Sequence, residues 1–107
     1  PAADVQGYCC GTLTHLAATT SNRETIISQK GFQAVLRAMK THPSAALVQY
    51  KGCAALANLA ATAAEQATLA SLGGVKLVLK AVAAHIHDTT VLGHCFGALY
   101  NLAQQPK

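Results

Sequence analysis

Apolar residues recur along much of the chain at three- and four-residue intervals, the spacing typical of one buried face of an α-helix. No segment shows the alternation of β-branched and polar residues expected of a half-buried strand. Two runs with the helical spacing are Leu47, Leu56 and Leu59, and then Val75, Val78, Leu79 and Val82. The pattern, together with the Ala- and Leu-rich apolar content, predicts an all-α protein.

The helical pattern repeats with a period of 43 residues. Val5-Gln6 recurs as Val48-Gln49, and residues 5–47 aligned without a gap on residues 48–90 are identical at 15 of 43 positions. A third copy begins at Val91. This period lies in the ~40–47 residue range of HEAT and armadillo repeats and outside the ~33–34 of ankyrin and TPR repeats. The identical pairs include Cys10/Cys53, Leu13/Leu56, Leu16/Leu59, Ala17/Ala60, Gly31/Gly74, Val35/Val78, Leu36/Leu79 and His42/His85.

Gly and Pro divide each period into three predicted helices. A short helix covers residues 22–29 and 65–72, and a glycine break at Gly31 or Gly73-Gly74 follows it. A second helix covers residues 32–40 and 75–84; Pro43 ends the first of these, because proline cannot continue a helix. A long third helix covers residues 44–61 and 88–103, with a partial first copy at 3–18.

Residues at the helix ends and within the long helices support this division. Glu24 and Glu65 fall in predicted first turns, and Asp88 falls at a predicted N-cap, where carboxylates are favourable. Glycine inside a helix costs roughly 0.5–1 kcal/mol relative to alanine. We therefore expect close helix approach at the small residues of the long helices, Gly11, Gly52, Ala54, Ala55, Gly93, Gly97 and Ala98.

The composition indicates which class of protein and which cellular compartment to expect. The 107 residues are 51% hydrophobic and only 11% charged, against roughly 25% charge in typical soluble domains. No run approaches the ~20 apolar residues of a membrane span. The four cysteines lie in helical patterns, Cys9 and Cys10 are adjacent, and Cys10, Cys53 and Phe96 occupy one repeat position. We expect reduced, buried cysteines, a core column at that position and an intracellular, cytoplasmic protein, with the nucleus as a further possibility.

Two segments stand at the start of a predicted second helix and at the end of a predicted third helix: Gly73-Gly74-Val75 through Leu79, and residues 53–60, Cys-Ala-Ala-Leu-Ala-Asn-Leu-Ala. They resemble the corresponding segments of the armadillo family. Residues 98–103 repeat that ending, and residues 12–17 approximate it. The resemblance implies a right-handed α-solenoid of about two and a half three-helix repeats. Its units would be a partial repeat at 1–20 and repeats at 21–61 and 62–104, with third helices lining a concave groove.

The resemblance also implies a peptide-binding groove. In the family, an Asn near the end of each third helix hydrogen-bonds the backbone of an extended peptide. The matching positions here are Asn58 and Asn101, with His15 in the first copy. An amide both donates and accepts, so it pairs with any peptide unit. The alternative is that these Asn residues tie down the following turn.

A second row of candidate groove residues lies one helical turn earlier. It consists of Tyr8, Lys51 and His94, with Tyr50 and Tyr100 nearby. Aromatic and cationic side chains are frequent anchors of binding surfaces, so we expect an acidic or mixed extended peptide as ligand. The alternative is that Tyr50 or Tyr100 packs between repeats.

One row departs from the family members that bind basic nuclear-import signals, which carry a Trp four residues before the Asn. Gly11, Ala54 and Gly97 occupy those positions, and the chain has no Trp. We therefore do not expect recognition of such signals.

The sequence contains few residues that could form a nucleic-acid site, a metal site or a catalytic centre. Arg37, Lys40, Lys76 and Lys80 would form a basic stripe on the second helices, either a solvated outer surface or a site for an acidic partner or nucleic acid. The region of His85, His87, His94 and Cys95 lacks the paired spacings of zinc sites. No phosphate loop, nucleophile elbow or carboxylate pair occurs. We expect no cofactor, no metal and no enzyme activity.

The sequence therefore predicts a protein–protein interaction module. The alternative is a structural spacer within a larger multidomain protein, without a ligand of its own. The chain starts with Pro1 inside a third helix, and neither end, including residues 104–107, has the polar character of a terminal solenoid cap. We expect a piece of a longer solenoid that associates with itself through its ends, without membrane binding and without nucleic acid as its main partner.

Overall fold

The computed structural model describes residues 2–103 of the chain. Within this range it contains seven helices and no strand. The all-α prediction is therefore confirmed for this range. The helices are α1 Ala3–Leu16, α2 Thr20–Ser28, α3 Gly31–Thr41, α4 Ala46–Leu59, α5 Ala63–Ser71, α6 Gly74–Ala84 and α7 Thr89–Ala103. Three predictions lie outside the described residues: the start of the chain inside a third helix at Pro1, the end of the last repeat at residue 104, and the lack of a polar cap at residues 104–107.

The helices recur with the period found in the sequence. Both α2 and α5 have 9 residues, both α3 and α6 have 11, and α1, α4 and α7 have 14, 14 and 15. Each helix from α4 to α7 begins 43 residues after its counterpart. The predicted boundaries hold to within about two residues.

Equivalent threonines begin the two short helices. The Thr19 hydroxyl accepts a hydrogen bond from the Asn22 N–H at 3.2 Å, and the Thr62 hydroxyl accepts one from the Glu65 N–H at 3.3 Å. Glu65 Oε1 in turn accepts from the Thr62 N–H at 3.1 Å, which completes a capping box. The first-turn prediction is thus confirmed for Glu65. It is wrong for Glu24, because Thr19 caps α2 early enough to leave Glu24 in the second turn.

The break between the short and second helices also repeats. Lys30 and Gly73, 43 residues apart, both have left-handed backbone, with φ of 65° and 87°. The next residue in each case is a glycine against which the preceding helix packs. A Cβ on Gly74 would lie 2.6 Å from Leu69 Cδ1 and 2.9 Å from the Leu69 carbonyl oxygen. Glycine is required there by contact, which explains the Gly31/Gly74 identity.

The start of α7 matches its prediction. Asp88 Oδ1 accepts from the N–H groups of Thr90 and Val91, both at 3.1 Å. These donors have no partner within the helix, so the carboxylate stabilises the helix start.

Helix α4 lies between α1 and α7, and its most extensive contacts are with these two helices. The expected close approach is confirmed at Gly52, where a Cβ would lie 2.6 Å from Met39 Cγ. It is wrong for Gly93 and Gly97, which have open space beside them, because no described helix covers that side of α7.

The core runs along α3, α4 and the inner sides of their neighbours. Phe32, Met39, Leu56, Leu59 and Leu69 are its largest fully buried apolar side chains. In the predicted apolar run on α6, Val78 is buried, but Val75 and Leu79 are 36% and 50% exposed. The prediction that Val75 and Leu79 are buried is therefore wrong. Their counterparts Phe32 and Leu36 are buried, and Leu36 lines one groove together with Leu72 and Leu77.

The cysteine predictions need correction. Cys53 of α4 and Cys95 of α7 are fully buried and joined in a disulfide, with their Cα atoms 5.1 Å apart, so the expectation of four reduced cysteines is wrong. Cys10 is free and buried, and Cys9 is free and exposed. Phe96 is 52% exposed and does not continue the core column, because it lies on the uncovered side of α7.

In the described part of the chain, no single helix has both the length and the apolarity to span a membrane. Helices α5 and α6 are long and apolar enough only when they are taken together, and the pair is bent by 72°.

Candidate binding surfaces

The long helices α1, α4 and α7 share one face that carries most of the predicted binding residues. A pocket of about 130 Å³ opens on it between the three helices. We call the face around this pocket the groove surface. The pocket lining is Gly11, Thr14, His15, Tyr50, Lys51, Ala54 and His94.

Tyr50 organises the charged side of the pocket. Its ring stacks on the His94 ring, with centroids 5.5 Å apart and planes 26° from parallel. The Lys51 ammonium lies 5.5 Å from the Tyr50 ring centroid, within range of a cation–π attraction. Tyr50 is half-buried, so it both packs between α4 and α7 and lines the pocket. These contacts place one cation and two rings side by side at the pocket.

The two asparagines tie consecutive long helices together. Asn58 Nδ2 donates to the Thr14 carbonyl of α1 at 3.2 Å, and Asn101 Nδ2 donates to the Ala57 carbonyl of α4 at 3.0 Å. Both acceptors lie in the last turn of a helix, where carbonyls lack an intrahelical partner. These bonds reach the preceding long helix, whereas the alternative in the sequence analysis placed them in the following turn. Among residues 2–103, neither Oδ1 has a hydrogen-bond donor, and each amide has a second N–H.

The remaining predicted residues are placed differently. His15 is exposed and lines the pocket. Tyr8 on α1 and Tyr100 on α7 are both 67% exposed and, like the two asparagines, are not part of the lining. The structure thus brings His15, Tyr50, Lys51 and His94 together and leaves Tyr8 apart.

Two small residues shape the pocket. Gly11 and Ala54 are both in the lining, so the pocket occupies space that larger side chains would fill. Thr14 also contributes, and sequence reasoning missed it. The repeat alignment could have found it, because Thr14 is one residue before the Asn-equivalent His15.

A second surface lies between α3 and α6, where basic and apolar residues together line a groove of about 460 Å³. The four predicted basic residues Arg37, Lys40, Lys76 and Lys80 all line it, with Leu36 and Leu77 among the apolar residues. No carboxylate belongs to its lining. We call it the basic groove.

Reactive groups elsewhere are few. Across residues 2–103, no three His, Cys, Asp or Glu side chains are grouped as metal ligands would be. His85 Nε2 lies 2.9 Å from the Pro43 carbonyl oxygen, a contact that joins two loops. Burial, and secondly the neighbouring Cys9, raise the pKa of the Cys10 thiol to about 11. Such a thiol stays protonated near neutral pH and is a poor nucleophile.

Comparison of the chain with models of known protein families, with curated proteins and with solved structures gives no match.

Proposed function

We propose that the chain is an armadillo-type α-solenoid module that binds an extended protein segment along the groove surface. The observation that carries the proposal is the pocket in which residues from α1, α4 and α7 converge, with a cation and stacked rings side by side. Binding surfaces characteristically combine such anchors with an accessible, largely preformed recess.

Repetition of side-chain contacts supports the solenoid part of the proposal. Arg23 Nη1 donates to the Ala17 carbonyl at 2.9 Å, and Gln66 Nε2, 43 residues later, donates to the Ala60 carbonyl at 3.2 Å. The Asn58 and Asn101 bonds form a second repeated pair. A translated unit that packs on its own copy produces such pairs.

The chemistry of the surface favours an acidic ligand segment. Lys51 is the cation of the pocket, and the lining contains no carboxylate. The partner's backbone would pair with the Oδ1 and second N–H of Asn58 and Asn101, and an acidic side chain would enter the pocket beside Lys51. Charge complementarity then sets specificity, and the amides set the direction of the bound segment.

A screen of displayed random peptides against the immobilised chain tests this function. We expect enriched peptides to be acidic and to lose at least tenfold in affinity to Lys51→Glu, which reverses the charge of the pocket. Lys30→Glu, the same charge reversal at an exposed lysine outside both the pocket and the basic groove, is the matched control and should leave affinity unchanged. The double variant Asn58→Ala/Asn101→Ala should also weaken binding, after circular dichroism has verified its helix content.

The alternative is a structural spacer with no ligand of its own. It predicts that the screen enriches no peptide above background. It also predicts that every partner captured by a longer natural chain stays bound in the Lys51→Glu and double-Asn variants.

The basic groove supports a second binding function. Four cations line a recess together with apolar residues, a combination suited to an acidic segment of a partner protein. Lys76→Glu/Lys80→Glu should abolish that interaction and leave groove-surface binding intact. Binding of random RNA or DNA with a steep salt dependence would instead assign the groove to nucleic acid.

The disulfide bears on the location. Disulfides persist mainly in oxidising compartments, so the Cys53–Cys95 bond weighs against the intracellular location expected from the sequence. The location, the lack of enzyme activity and the lack of a cofactor remain predictions.

A further inference from the structure

We propose that the outer sides of α1 and α7 bind each other in two copies of the chain, head to tail, in the register that already joins α1 to α4 and α4 to α7. We call the sides of α1 and α7 that no helix within residues 2–103 covers the head face and the tail face. This inference concerns self-association and does not depend on peptide binding to the groove surface.

Within one chain, this contact between long helices already occurs twice, between α1 and α4 and between α4 and α7. Asn58 bonds the Thr14 carbonyl, and Asn101 bonds the Ala57 carbonyl, with the same separation of 44 residues. Gly7 packs on Leu47, and α4 packs on α7 through the Tyr50–His94 stack and the Cys53–Cys95 bond. One side of α4 therefore acts as a tail face toward α7, and its other side acts as a head face toward α1.

The tail face of α7 repeats the side of α4 that receives α7. The residues 43 positions after Tyr50, Cys53 and Ala57 are Gly93, Phe96 and Tyr100. Phe96 is 52% exposed, Tyr100 is 67% exposed, and Gly93 has nothing beside it. Two exposed aromatic side chains next to an open glycine form an apolar surface with room for a neighbouring helix.

The head face of α1 repeats the sides of α4 and α7 that are covered. The residues of α1 equivalent to His94, Cys95 and Asn101 are Tyr8, Cys9 and His15. All three are exposed. Cys9 is free, and Val5 and Leu16 beside it are 56% and 46% exposed, although their counterparts in α4 and α7 are buried.

Continuing the register gives three contacts between copies. Tyr8 of one copy would pack over Gly93 of the other, in the place of the Tyr50–His94 stack. Cys9 would lie against Phe96, in the place of the Cys53–Cys95 pair. The His15 ring would donate to the Tyr100 carbonyl, in the place of the two Asn bonds. Each exposed head residue thus meets an exposed tail residue.

The geometry predicts open chains. A head-to-tail contact leaves a free head and a free tail on every dimer, so it does not close by twofold symmetry. We expect sedimentation velocity to show species that grow from monomer through dimer to longer oligomers as the concentration rises from micromolar to millimolar. A chain that stays monomeric throughout this range would overturn the proposal.

Two variants, studied alone and as a mixture, test whether the contact is head to tail. Cys9→Arg blocks the head face and Phe96→Arg blocks the tail face, so each variant alone should be monomeric. An equimolar mixture should form a heterodimer, because each variant keeps the face that the other needs. Ala67→Arg, at an exposed position of α5, is the matched control and should oligomerise like the natural chain. If either blocked variant still dimerises alone, the contact is symmetric and the head-to-tail proposal is wrong.

A cross-link tests the register. In Phe96→Cys, the introduced thiol and Cys9 of a second copy should occupy the positions of Cys53 and Cys95. Oxidised glutathione takes up the two electrons and two protons of the thiols and leaves as two reduced molecules, while one intermolecular S–S bond forms. We expect a ladder of covalent oligomers on non-reducing gels, lost in Phe96→Cys/Cys9→Ser. Equal cross-linking by Ala67→Cys would show random collision and overturn the register.

Discussion

At the scale of single residues, equivalent positions of the repeat are filled by chemically different residues, and the difference has measurable consequences. Gly73 takes a left-handed backbone at little cost, whereas Lys30 takes it with a side chain. Cys10 and Phe96 share a repeat position, yet one is buried and the other exposed. Such pairs allow one site to serve as the control for another.

Lys30→Gly should stabilise the protein by about 1 kcal/mol, because a left-handed conformation costs roughly 1–2 kcal/mol for residues with a Cβ and little for glycine. The midpoint of urea unfolding measures the change. Lys30→Ala keeps the Cβ and should give no such gain, and Gly73→Ala should lose about 1 kcal/mol for the same reason. An equal gain from Lys30→Ala would show that the Lys30 side chain, and not its backbone, is unfavourable.

The raised pKa of Cys10 predicts a loss of stability at alkaline pH. Below its ordinary value of 9.0 the thiol is protonated in both states and contributes no pH dependence. Between pH 9 and about 11 the unfolded chain loses this proton while the native chain retains it, so rising pH favours unfolding. The natural chain should therefore lose more stability than Cys10→Ala over this window. Parallel stability profiles of the two proteins would contradict the assignment.

At the scale of helices, the contacts between the long helices hold the units together. The Cys53–Cys95 bond joins α4 to α7 across a separation of 42 residues. A crosslink over a loop of that length reduces the entropy of the unfolded chain and stabilises the fold by about 4 kcal/mol. The bond acts on the same pair of helices as the Asn101 hydrogen bond and the Tyr50–His94 stack.

Thiol counting tests this bond. The denatured protein should contain two free thiols without reductant and four after reduction. Reduction should also lower the urea midpoint, because the unfolded chain gains the freedom that the crosslink removed. Four thiols without reductant, in protein purified with alkylation at lysis, would mean that Cys53 and Cys95 are unbonded neighbours and would restore the reduced state expected from the sequence.

The sequence was sufficient for the period and the helix ends, because these depend on local signals such as Gly73-Gly74, Pro43 and the Asp88 cap. It also predicted residues that converge on the pocket, since the repeat alignment places Lys51 and His94 at one position. The sequence did not predict the features that depend on contacts between helices. The repeat aligns Cys10 with Cys53, but the bonded pair is Cys53 with Cys95, one residue off the period.

At the scale of the whole molecule, the outer sides of α1 and α7 differ from α4, which lies between these two helices. The positions that are fully buried in α4, such as Val48 and Leu59, correspond to exposed Val5 and Leu16 in α1. On the other side, Phe96 and Tyr100 are exposed where α4 has Cys53 and Ala57. Covering either side with another helix would bury this exposed apolar surface and add favourable free energy.

Thermal stability should therefore rise with protein concentration. Association that involves the folded chain and not the unfolded one adds about 2.7 kcal/mol when the concentration is about 100 times the dissociation constant. For a domain of about 100 residues each 1 kcal/mol raises Tm by roughly 4–8 °C, so calorimetry across a wide concentration series should resolve the trend. The double variant Cys9→Arg/Phe96→Arg blocks both faces and should melt at a Tm independent of concentration, while Ala67→Arg should follow the natural chain. A natural chain whose Tm is constant over the series, and equal to that of the double variant, would mean that the exposed sides of α1 and α7 contribute nothing to each other.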